Sequence, residues 1–83
     1  MQFEYTPHGV CSRKIYFEIE DNTITSIQFE GGCSGNTQGV AALAVDMDVD
    51  EAISRLSGIR CGGRSTSCPD QLAKALAKAK EQL

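Results

Sequence analysis

Four cysteines, Cys11, Cys33, Cys61 and Cys68, are spread over most of a chain of 83 residues, and no other feature constrains the fold as much. A chain this short is one domain that buries only about 60% of the surface its unfolded form exposes. Folds of this size often depend on a staple: a disulfide, a metal or an oligomer interface. The N-terminal stretch Met1-Gln-Phe-Glu-Tyr-Thr-Pro-His has neither the basic nor the apolar region of a secretory signal. The longest apolar run, Val40 to Val45, is six residues, against the about 20 that a membrane span needs. These features predict a cytoplasmic protein with no membrane partner, in a reducing compartment where stable disulfides are rare. Metal binding or thiol redox chemistry is then the expected use of the cysteines.

Charge excludes a second class. The net charge is -3 and the isoelectric point is about 4.9, whereas nucleic-acid binding is dominated by clustered Lys and Arg. Arg13-Lys14, Arg55, Arg60 and Arg64 form no run, and Lys74, Lys78 and Lys80 suit the solvated face and C-terminus of a helix. No nucleic-acid partner is expected.

Period-two alternation from Arg13 to Glu20 places Ile15, Phe17 and Ile19 on one face of a strand. Asp21-Asn22 supplies turn chemistry, and Thr23 to Glu30 returns with Ile27 and Phe29 on the same face, so the two segments read as a hairpin. Ile24 breaks the alternation and marks a bulge or the edge of the turn. Phe3 and Tyr5 suggest a shorter strand before Pro7.

Beyond the glycine-rich segment Gly31 to Asn36, small helix formers from Val40 to Ala44 predict a helix that starts near Asn36 or Thr37. Asp48 as N-cap, Glu51 three residues on, the apolar set Val49, Ala52, Ile53 and Leu56, and Gly58 as stop predict a second helix. For the third, Cys68 is expected at the N-cap, Pro69 at the first helical position and Asp70 at the positive end of the dipole. Its buried stripe reads Leu72, Ala75, Leu76, Ala79 and Leu83. Strands first and helices second define an α+β fold: a small antiparallel sheet with about three helices on one face. The expected core is Ile15, Phe17, Ile19, Ile27, Phe29, Leu43, Ile53, Leu56, Leu72 and Leu76.

The cysteines are separated by 21, 27 and 6 residues, and none of these spacings is the short knuckle of a zinc ribbon. Their placement says more. Cys11 precedes a strand, Cys33 lies between strand and helix, Cys61 sits beside Gly62-Gly63, and Cys68 opens a helix, where a thiolate is stabilised. All four are expected to be metal ligands at one site. Four thiolates suit zinc first and an iron-sulfur cluster second. The bland alternative is four buried small hydrophobes, and another is a Cys61/Cys68 dithiol, although its spacing is wider than the C-x-x-C of such catalysts.

Other candidates have simpler readings. His8 beside Pro7 and Gly9 reads as a solvated turn residue before it reads as a ligand or base. Cys61-Gly-Gly-Arg-Ser-Thr-Ser-Cys68 matches no P-loop, though its backbone and Arg64 could cradle an anion. Asp46, Asp48, Asp50 and Glu51 lack an EF-hand pattern and suit a solvated helix start.

The string Thr66-Ser67-Cys68-Pro69-Asp70, with Gly32-Cys33-Ser34-Gly35-Asn36 and Cys61-Gly62-Gly63, closely resembles the TSCPD domain family over nearly the whole chain. That resemblance implies a single domain over residues 1–83, akin to the C-terminal domain of cobalamin-dependent ribonucleotide reductases, whose cysteines bind a metal. It implies a reductase or other protein as partner, and a homo-oligomer is also open. Stand-alone members often carry the reductase label, but this chain has no room for a reductase barrel, so catalysis by the chain alone is not expected. More distantly, the order of hairpin, Gly-Cys, helix and late-helix cysteine is similar to iron-sulfur scaffolds of the IscU and NifU type, with Cys11, Cys33 and Cys68 matching their three cysteines. Two departures stand out: the scaffold Cys-Gly-Asp is here Cys11-Ser12-Arg13, and Cys61 is an additional thiol. The leading expectation is a metal-binding module, with zinc preferred, accessory to a ribonucleotide reductase. An iron-sulfur scaffold or carrier and a redox dithiol accessory are the alternatives.

Overall fold

Alternating Ile15, Phe17 and Ile19 can hide from water only if a second layer covers their face, and a computed structural model supplies that layer. It describes residues 1–10, 12–31, 34–60 and 62–83. Strands β1 (Gln2–Tyr5), β2 (Ser12–Glu20) and β3 (Thr23–Gly31) are followed by helices α1 (Ser34–Ala44), α2 (Val49–Leu56) and α3 (Cys68–Lys80). The sheet is antiparallel in the order β1-β2-β3. Ile15, Phe17, Ile19 and Ile24 pack with Val49 and Ala52 of α2 and with Leu72, Ala75, Leu76 and Ala79 of α3, and Val40 of α1 lies against the same cluster. The predicted α+β architecture is therefore the one observed.

The hairpin turns at Asp21 and Asn22, with φ of 50° and 60°. Two successive left-handed residues match the twist of the strands they join. Glu18 faces Ser26 and Ile19 faces Ile24, so Thr25 is an extra residue on β3. This bulge explains Ile24. One inserted residue exchanges the faces of a strand, and Ile24 is carried into the core, where it is fully buried.

Four expectations change. Helix α1 begins at Ser34, two residues before the predicted start. Leu43 is exposed rather than buried, because an unbroken apolar run carries no periodicity to say which side faces inward. Leu83 is exposed too, since α3 ends at Lys80. The N-cap of α3 is Ser67, not Cys68. A serine oxygen is the stronger acceptor for a free backbone N–H, which leaves the cysteine sulfur at the first helical position uncommitted to capping.

The start of α2 is as predicted: the Asp48 carboxylate accepts from the backbone N–H of Asp50 at 3.0 Å and of Glu51 at 3.2 Å. Asp48→Ala is expected to cost about 1 kcal/mol, read as a lower urea midpoint with an unchanged slope.

Candidate metal centre at the start of the third helix

Cys68 opens α3 with its side chain buried, and its sulfur lies 3.1 Å from the hydroxyl oxygen of Ser12, the first residue of β2. Ser12 in turn faces Gly31, the last residue of β3. A strand start, a strand end and a helix start thus meet at one edge of the domain.

Residues Thr66 to Gln71 tie the neighbouring loops to this point. The Ser67 hydroxyl donates to the Ile59 carbonyl at 2.6 Å and accepts from the Asp70 N–H at 3.2 Å. The Gln71 side chain accepts from the backbone N–H of His8 at 3.0 Å and donates to the Thr66 hydroxyl at 2.9 Å. Thr66 donates to the Asp70 carboxylate at 2.5 Å, which also accepts from the backbone N–H of Gly58 at 2.7 Å. Arg64 donates to the Gly9 carbonyl at 3.4 Å. Gly9 has a φ of 73°, and a β-carbon there would stand 3.2 Å from the Thr66 methyl. That position favours glycine on both counts.

Asp70 is buried. The Thr66 hydroxyl first, then the Gly58 N–H, hold its carboxyl below the ordinary aspartate range, with burial opposing them and Lys74 adding a smaller pull in the same direction. With its oxygens engaged in this way, Asp70 holds loops together and is not a spare metal donor.

Of the four predicted ligands, Cys68 belongs to the described residues, and Cys11, Cys33 and Cys61 lie outside them. Among the described residues no group of three or more His, Cys, Asp or Glu is placed to hold a metal ion. The described residues near those three positions are nevertheless tied to one another or to the start of α3. Gly9 and Ser12 flank position 11, Gly31 and Ser34 flank position 33, Ile59 and Arg64 flank position 61, and each of these stretches, through Gly9, Ser12, Gly31, Ile59 or Arg64, bonds to or pairs with another or with the start of α3. His8 is exposed, in accord with its reading as a turn residue.

Sequence reasoning missed Ser12, Thr66 and Gln71. The signal for Thr66 and Gln71 is their closeness to a helix start, where hydroxyls and amides find free backbone groups. Ser12 carries no comparable sequence signal.

The class so defined is a small α+β domain in which Ser12 of β2 and the Ile59 carbonyl bond to the start of α3. A family model described as the TSCPD domain matches residues 1–80. The chain belongs to the TSCPD domain family. Neither a curated protein nor a solved structure matches it, so the resemblance to iron-sulfur scaffolds receives no support from these comparisons. No helix among the described residues is long and apolar enough to cross a membrane.

The family's defining string acquires a physical account here. Thr66 bonds Asp70, Ser67 caps the helix and holds Ile59, Cys68 turns its sulfur to Ser12, and Asp70 gathers Thr66 and Gly58. Pro69 falls in the first turn, where its missing N–H is no loss.

Proposed function

We propose that this chain is a metal-binding module in which Cys11, Cys33, Cys61 and Cys68 hold one ion, zinc in preference, and that it serves as an accessory to a ribonucleotide reductase. The observation that carries the reading is the contact of the Cys68 sulfur with Ser12, whose neighbour in the sheet is Gly31, beside the Ile59–Ser67 bond at the same helix start. Cys68 suits the role: its sulfur is free of capping duty, sits at a helix N-terminus and faces a hydroxyl. The donor set suits it as well, since four thiolates favour zinc or an iron-sulfur cluster over a hard cation, and the nearby Asp70 carboxylate is already occupied. A zinc ion held there supplies a cross-link between the loops of a small core. Membership of the TSCPD family supports the reductase as partner.

The test is metal analysis with a visible spectrum of protein purified without oxygen. One zinc per chain and no colour is the expected result. Iron with broad visible absorbance would replace zinc by an iron-sulfur cluster and favour a scaffold or carrier of the IscU and NifU type. A metal-free protein with four reactive thiols would overturn the metal site in favour of a redox dithiol.

A further inference from the structure

Strict alternation along β2 puts odd-numbered residues inward and even-numbered ones outward: Ile15, Phe17 and Ile19 are buried, while Tyr16 and Glu20 are exposed. Ser12 is even-numbered and is only 4% exposed. The reason lies in the register. Ser12 faces Gly31 and Lys14 faces Glu30, so Arg13 is an extra residue on β2. Such a bulge exchanges the faces of the strand and re-aims a side chain, a device frequent beside functional sites. Here it turns the Ser12 hydroxyl inward, to 3.1 Å from the Cys68 sulfur, which is itself in a residue 8% exposed.

We infer that Ser12 is a positioning residue for the metal site, donating its hydroxyl hydrogen to the Cys68 sulfur and so setting the charge that this sulfur presents to the metal. The inference rests on the metal-binding reading above. In the free thiol either atom can donate. A metal-bound thiolate has no hydrogen, so in the loaded protein the hydroxyl is the donor and the bond has one direction. A hydrogen bond to a ligating sulfur withdraws charge from it and fixes its orientation, and loss of such outer partners typically weakens metal binding about 10- to 100-fold.

The test uses the full chain loaded with cobalt(II), whose absorption reports sulfur ligation. Ser12→Ala is expected to bind one cobalt per chain, to move the sulfur-to-metal charge-transfer band to longer wavelength, and to release metal to a chelator about 10- to 100-fold faster. Ser12→Thr keeps the hydroxyl and should return both properties toward wild type, which a merely packing role of Ser12 would not do. A Ser12→Ala protein with the wild-type band and release rate would overturn the role of Ser12 and leave the metal site standing. A wild type without a charge-transfer band would overturn both. Should Ser12→Ala not fold, wild type loaded with an NMR-active cadmium isotope decides. A scalar coupling from the Ser12 hydroxyl proton to cadmium through the Cys68 sulfur is expected, and its absence with that proton resolved overturns the inference.

Discussion

Replacing Cys68 by alanine is expected to abolish metal binding and to lower the melting temperature by more than 10 °C. In a structural metal site the binding free energy is part of the folding free energy, and in a domain of this size each 1 kcal/mol shifts the midpoint by about 4–8 °C. A modest share of about 3 kcal/mol thus suffices. The position of the helix cap makes the experiment clean. Because Ser67 supplies the capping oxygen, both Cys68→Ala and Cys68→Ser leave the cap intact, and the two variants should behave alike. Calorimetry and metal content on the same samples check this. A variant that keeps wild-type stability but loses thiol-disulfide exchange would point to redox chemistry, and one unchanged in both metal content and melting would remove Cys68 from the ligand set.

Asp70→Ala should be nearly as severe, at about 3 kcal/mol or more. Its carboxylate accepts two short hydrogen bonds, from Thr66 and Gly58, and a hydrogen bond to a charged group contributes about 1.5–3 kcal/mol. Truncation leaves a backbone N–H and a hydroxyl without their acceptor. Asp70→Asn should fall in between, because one amide oxygen replaces two carboxylate oxygens and the Thr66 oxygen already receives a hydrogen from Gln71. The pH dependence has a definite sign. A carboxyl held below its ordinary value stabilises the native state fully above the unfolded value, about 3.9, and that contribution disappears as pH falls through the lowered native value. Denaturant midpoints of wild type should therefore drop more steeply on acidification than those of Asp70→Ala.

What the sequence made legible was periodic or local. Ile15, Phe17 and Ile19 announce β2 through alternation, and Asp48 announces α2 through an acceptor placed just before free N–H groups. Several of the misses are decided at a distance. Ser65, Thr66 and Ser67 offer three hydroxyls ahead of α3, and Ser67 is the cap whose hydroxyl also reaches Ile59. Asp70 reads locally as a partner of the helix dipole, and its bond to Gly58 spans twelve residues. Leu43 sits in a run without period. Ser12 was hidden because a bulge at Arg13, invisible in side-chain chemistry, reverses which face it occupies. For the candidate site, the cysteine positions suggested one location, whereas the polar residues that fasten the surrounding loops came into view only with the fold.

Those fastenings have a consequence for how a metal would be captured. The His8–Gln71, Ile59–Ser67, Gly9–Arg64 and Gly58–Asp70 bonds are all made by protein groups alone, so the chain at residues 8–9 and 58–59 is fastened by the fold itself. The conformational entropy of ordering these loops is then lost when the polypeptide folds rather than when it meets metal. A classical zinc finger without its metal is unfolded. This domain, by contrast, has a sheet and helix core of its own, and an ion bound at Cys68 would meet a helix start already fastened, entering and leaving while the core persists.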